Sequence, residues 1–275
     1  PINAPTNNAT IPANLSISPM AKDLAESLGV DLTSVDGSGR RGRVSLQDVE
    51  QAAKAQGLYL DNSDDKNNPH EIIRLTSMRK TIAKRLTEAN RDIPHFYLRC
   101  KINMDNLIKS RRANKQGSIN DYILKACAVA LRAEPDVNVN FMGESIHRFK
   151  HADISVAVAT DRGLITPIIR SADDKTISEI SNEMKELAQK AKNESLQPSD
   201  YQGGTFSLSN LGMMGISSFD AVVNPPMAAI LAVGSLEESL LPHGESAHIM
   251  NVTLSCDHRA IDGVLGAKWL KSFRE

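Results

Sequence analysis

SCDHRAIDGV, residues 255–264, sets His258 and Asp262 four positions apart, between two apolar runs of different period. Upstream, IMNVTLSC (residues 249–256) alternates, with Val252, Leu254 and Cys256 on one face and Asn251, Thr253 and Ser255 on the other. This is the pattern of a strand, and it puts His258 just past the strand end. Downstream, DGVLGAKWL (residues 262–270) reads as a helix with Asp262 in the N-cap position. His258 is then a general base, a metal ligand or a plain turn residue. A zinc site needs three or four His, Cys or carboxylate ligands, and the other six histidines show no matching spacing. No metal site is expected. Asp257 diverges from its neighbour along an extended segment and no G-x-S-x-G elbow occurs, which disfavours a serine-hydrolase triad.

Composition narrows the classes further. The chain has 275 residues, enough for one large core and a small accessory module. Lys+Arg total 32 against 33 Asp+Glu, so no general basic field attracts nucleic acid or an anionic membrane. Cys100, Cys127 and Cys256 are far apart and odd in number, which argues against a disulfide framework and for a reducing compartment. Cys256 falls on the apolar face of its strand and reads as core. The longest apolar run, residues 221–233, is broken by Asn224-Pro225-Pro226, so no membrane span is expected. Residue 1 is Pro and no signal-like segment follows, so the chain reads as a fragment of something longer.

Outward from the motif, four segments separate. Residues 1–17, with three prolines and small polar residues, have the composition of an extended linker. Residues 18–55 read as a small helical module. Ser18 is an N-cap with Pro19 at the first helical position and Gly29 as the stop; a glycine-punctuated loop follows, and Ser45 with Asp48 caps a second helix to about Ala55. Residues 56–70, including DNSDDKNNP at 61–69, form a second linker. From residue 71 to 275 helices and strands mix. Helical signals span Thr76–Glu88, Ser118–Ala133 and Thr176–Ala191. Strand signals include His95–Asn103, with Phe96, Leu98, Cys100 and Ile102 on one face, and short runs from Ile154, Gly163, Gly204, Ala228 and Ile249. The fold class is α+β, a mixed sheet with helices packed on it.

HRAIDG, residues 258–263, resembles the H-x-x-x-D-G signature of the dihydrolipoamide acyltransferases of 2-oxo acid dehydrogenase complexes and of their relative chloramphenicol acetyltransferase. GGTFSLSNLG (203–212), Asn224-Pro225-Pro226 with AILAVG (229–234), and DRGLITPIIR (161–170) are similar to that family too. Residues 18–49, with GSGRRGRV at 37–44, resemble its peripheral-subunit-binding domain. IPHFY (93–97) and Pro135-Asp136-Val137-Asn138 look most like the pyruvate branch.

The resemblance implies a chloramphenicol-acetyltransferase-like catalytic domain at 71–275, preceded by a linker that swings a lipoyl domain not contained in this chain. It also implies a C-terminus that continues past Glu275. The implied reaction moves an acetyl group from S-acetyl-dihydrolipoyl-lysine to coenzyme A. His258 would be the base, and Ser209 the hydroxyl donor to the oxyanion, with Ser207 as its rival on the same face. Asp262 would pair with Arg79 in a structural and electrostatic role. Lys22, Arg40, Arg41 and Arg43 would dock an acidic partner, the thiamine-dependent decarboxylase or dihydrolipoamide dehydrogenase. Homotrimers would build a larger core, in bacterial cytoplasm or the mitochondrial matrix. Competing readings are a silent binding paralogue, succinyl or branched-chain specificity, and a small-molecule acetyltransferase of the chloramphenicol type.

Overall fold

A computed structural model describes residues 10–12, 14–33, 35–56, 73–160, 163–240 and 244–275, and it divides into two compact units, 1–74 and 75–275. The linker motif at 61–69 and the first nine residues lie outside the described residues.

In the first unit the local signals produce two helices, α1 (Pro19–Leu28) and α2 (Leu46–Ala55). Ser18 Oγ accepts the Ala21 N–H at 3.2 Å, and Gly29 closes α1 at φ 67°, a left-handed conformation that favours glycine. Ser45 and Asp48 form a reciprocal capping box at the start of α2. Asp48 accepts the main-chain N–H of Ser45 at 2.7 Å and of Ser38 at 3.0 Å, and these bonds hold its carboxyl well below the usual carboxylate range. Ala21, Ala25, Val30, Leu32, Val44, Val49, Ala52 and Ala53 make the core. Residues 10–12 and 14–17, read above as linker, take part in this unit. Ile11, Leu15 and Ile17 pack against the core, and Val44 N–H donates to Ser16 O at 2.8 Å. Their apolar residues lack a period, so nothing in the pattern distinguished them from a tether.

The second unit runs α3 (Ser77–Asp92), β1 (His95–Asn103), α4 (Asp105–Asn114), α5 (Ile119–Ala133), β2 (Val139–Phe141), β3 (Ile146–Arg148), β4 (Ile154–Val156), β5 (Val158–Thr160), β6 (Gly163–Ile165) and β7 (Ile168–Ile169). It continues α6 (Ile177–Lys192), α7 (Pro198–Tyr201), β8 (Phe206–Asn210), β9 (Ala229–Leu240), β10 (Ser246–Asp257) and α8 (Gly263–Arg274). A six-stranded mixed sheet has the order β1-β10-β9-β8-β4-β7; β8 is parallel to both neighbours and the other pairings are antiparallel. Two hairpins, β2-β3 and β5-β6, stand apart from it.

One sheet face carries Leu208, Leu231, Leu254 and Cys256 into a core shared with α5 and α8. There Trp269 is fully buried between Phe206 and Phe273, with ring centroids 5.1 and 5.3 Å away. The other face is buried as well. Thr253 is 1% and Ser255 0% exposed, although their alternation with the apolar positions suggested a polar face. Near this face Met227 Sδ accepts the Ser207 hydroxyl at 3.3 Å, and Val223 and Ile230, the latter paired with Ser255, cluster with Ala89 and Ile93 at the end of α3. Elsewhere α3 packs little, and Met78 and Leu86 of its apolar repeat are exposed. Among the described residues no helix is long and apolar enough to cross a membrane.

Candidate active site

β10 ends at Asp257, whose N–H donates to Ala228 O at 2.8 Å, and a turn follows in which Ala260 and Ile261 N–H both reach Asp257 O at 3.0 Å. His258 is the first residue of that turn. Its N–H donates to Pro94 O at 3.1 Å, and its exposed ring lies 4.5 Å from the Phe96 ring centroid. The main chain is therefore tied on both sides while the imidazole faces solvent. Asp262 is the N-cap of α8, accepting the Leu265 N–H at 2.8 Å. Arg79 is exposed in the first turn of α3, and among the described residues no ion pair joins it to Asp262. The expected Arg79–Asp262 pairing is thus not made within one chain, and the capping bond takes up Asp262.

Of the two serines on one face of β8, Ser207 is 3% exposed and its hydroxyl is bonded to Met227. Ser209 is half-buried and the more accessible of the two. Ser209 lies level with Ala232 and, one strand further, with Thr253. From Thr253 the strand runs four more residues to Asp257. At ~3.4 Å per residue and ~4.8 Å per strand, Ser209 is separated by roughly 17 Å from Asp257, the strand end just before His258. One chain does not bring them together.

Cys256 stays in the core. Burial, reinforced by the neighbouring Asp257 charge, pushes its thiol up to about 12, which leaves no thiolate near neutral pH.

Sequence reasoning missed two groups beside His258. His95, opposite Asp257 in the sheet, accepts the Val223 N–H on Nε2 at 3.0 Å and bonds Ile93 O through Nδ1 at 2.9 Å, which fixes the Nδ1–H tautomer. Asp257 itself is buried and bonded to Arg259, whose guanidinium carbon lies 4.1 Å from the Phe141 ring centroid. Neither has a periodic signal; a turn residue beside an aspartate is common.

In the first unit, exposed Arg40, Arg41 and Arg43 line a depression with Ser45 and Leu46 at the start of α2. Lys22 is not among them and lies 3.8 Å from Glu26 across a turn of α1. His151, Asp173 and Asp174 also converge, but Arg132 Nη1 bonds both carboxylates at 2.7 Å, so they form an ion-pair network.

Residues 67–275 match the family described as 2-oxoacid dehydrogenases acyltransferase (catalytic domain), and residues 16–50 match the e3 binding domain. The chain belongs to the 2-oxoacid dehydrogenase acyltransferase family. It is 44% identical over 279 residues to the mitochondrial dihydrolipoyllysine-residue acetyltransferase component of the pyruvate dehydrogenase complex of Caenorhabditis elegans, covering 95% of this chain and 55% of that protein. The corresponding Rhizobium meliloti component is 43% identical, with 94% of this chain and 66% of that protein covered. The chain thus spans between about half and two thirds of the length of these curated relatives. Among solved structures, the cubic core of the pyruvate dehydrogenase multienzyme complex superimposes with a TM-score of 0.73 at 29% identity, over 78% of this chain and 95% of that one. Chloramphenicol acetyltransferase, at 14% identity and a TM-score of 0.50 over 74% of this chain and 97% of that one, shares the fold. The acyltransferase family accordingly accounts for both units, the mixed-sheet domain and the helical module before it.

Proposed function

We propose that this chain transfers an acetyl group from S-acetyl-dihydrolipoyl-lysine to coenzyme A and scaffolds a pyruvate dehydrogenase complex. The observation that carries this reading is His258, exposed at the end of β10 with its main chain tied to Pro94, in an acyltransferase-family domain. A free thiol of pKa about 8.5 is only a few per cent ionised at neutral pH, so thioester exchange needs a base. His258 takes the coenzyme A thiol proton; the sulfur attacks the acetyl carbonyl, and the resulting oxyanion accepts a hydrogen bond from the Ser209 hydroxyl. Collapse releases the dihydrolipoyl thiolate, which recovers a proton from His258. Asp262, by capping α8, holds the segment behind the base.

The roughly 17 Å between Ser209 and the strand end before His258 supports a site shared between subunits, His258 and Asp262 from one chain and Ser209 from its neighbour in a trimer. A contact surface follows Ser209 directly: Leu211, Met213, Met214 and Ile216 are exposed, with Met213 at 97%. Apolar runs of that kind mark association surfaces. Complementation tests the arrangement. Unfolded His258→Ala and Ser209→Ala chains, mixed equally and reassembled into trimers confirmed by sedimentation, should regain roughly a quarter of wild-type activity by counting on a closed cyclic interface. No recovery refutes the shared site.

The e3 binding match supports dihydrolipoamide dehydrogenase as the docked partner, with the thiamine-dependent decarboxylase as competitor for the same surface. Arg40 and Arg43 are the anchors, and Arg41 lines the same depression. Charge reversal at Arg40 and Arg43 should abolish the salt-sensitive part of binding; unchanged binding would refute electrostatic docking.

A further inference from the structure

The residues on either side of His258 are bonded to each other across it. The Asp257 side chain, 2% exposed, accepts the Arg259 main-chain N–H at 3.0 Å, Nε at 2.9 Å and Nη2 at 2.7 Å. The guanidinium carbon also lies over a third element, 4.1 Å from the centroid of Phe141, whose own N–H donates to Pro226 O at 2.8 Å. The three residues 257–259 are thereby pinned to Ala228 just before β9, to Pro94 just before β1, and to β2 through Phe141.

Such a pair adds little net stability, because desolvating the buried carboxylate offsets much of its attraction to the partly exposed guanidinium. What it does supply is geometry: the planar fork of arginine meets a carboxylate in one orientation. Asp257 is buried and His258 is exposed, so a clamp closed on the buried side of the chain holds the imidazole on the solvent side. We infer that Asp257 and Arg259 are positioning residues that set the direction of the His258 imidazole toward the thiol. This inference rests on the reading of His258 as the base.

The test compares Arg259→Lys, Arg259→Met, Asp257→Asn and the double variant Asp257→Asn/Arg259→Met in the assembled full-length protein. Misplacing a reacting group by an ångström costs about 10²-fold, so Arg259→Met and Asp257→Asn should each lose about that much in kcat. KM for coenzyme A and for the acyl donor should stay within about twofold, because neither residue binds them. The double variant buries no unpaired charge, so its unfolding temperature should return toward wild type while its kcat stays low. Arg259→Lys keeps the charge without the fork and should recover only part of kcat. Recovery of kcat in step with stability in the double variant overturns the inference, as does a loss confined to KM. If the single variants fail to fold, the double variant decides alone, and wild-type kcat in it refutes the clamp. His258→Ala is measured alongside: an active His258→Ala refutes the base itself, whereas an inactive one beside an active double variant refutes only the positioning.

Discussion

In the small unit both helices are closed by residues three or four positions away, Ser18 on Ala21 and Ser45 with Asp48, and half of the eight buried core residues are alanine. In the large unit the strand leading into His258 is paired on one side with the distant β1 and on the other with β9, over a core that includes Trp269, Phe206 and Phe273. The first arrangement buries little apolar area, so individual hydrogen bonds weigh heavily in it. The second is held by bulk burial, and its surface groups are free to serve chemistry.

The comparison breaks most visibly at Trp269. Trp269→Ala should destabilise the large unit by about 3–5 kcal/mol in chemical denaturation, with amide exchange in residues 18–55 unaltered. Loss of protection in both units at once would show that the small one leans on the large one. A catalytic change should do the reverse. His258→Ala is expected to lower turnover by at least about 10²-fold, yet to leave the denaturation midpoint within about 0.5 kcal/mol of wild type, as for a surface position. Destabilisation that tracks the lost activity would mean that His258 acts through the fold.

Smaller effects sharpen the picture of the helical module. Ser45→Ala removes a cap and should cost about 0.5–2 kcal/mol, read as faster amide exchange across α2; an unchanged rate would show that the cap is redundant. The pH dependence has a definite sign. Asp48 is held below its ordinary value by main-chain donors, so the unfolded chain takes up its proton first as pH falls. Its stabilising contribution is whole above about pH 4 and declines below that, toward the depressed folded value. Asp48→Asn should flatten this acid limb in hydrogen exchange, and an unaltered limb would assign it to other carboxylates.

Much of the fold was legible where the signals were local. The capping residues Ser18, Ser45, Ser118, Thr176 and Asp262 all occupy their expected positions, and Phe96, Leu98, Cys100 and Ile102 face the core as their alternation indicated. Residues 10–12 and 14–17 were not legible as part of the module because Ile11, Leu15 and Ile17 have no period of their own and find their partners in distant residues, through the Ile17–Val44 bridge and the Leu32 N–H bond to Thr10 O.

By itself the sequence determined the helix ends, which residues share a strand face, and the strand–helix junction at His258 and Asp262, since each depends on neighbours within a few positions. Only the tertiary structure decided what is covered: alternation pairs Thr253 with Ser255 on a polar face, yet both are buried. It alone set Ser209 apart from His258, through the register of β8, β9 and β10, and placed the Arg259 guanidinium over Phe141. Register and such cross-element contacts join residues distant along the chain, and a one-dimensional pattern carries no term for them.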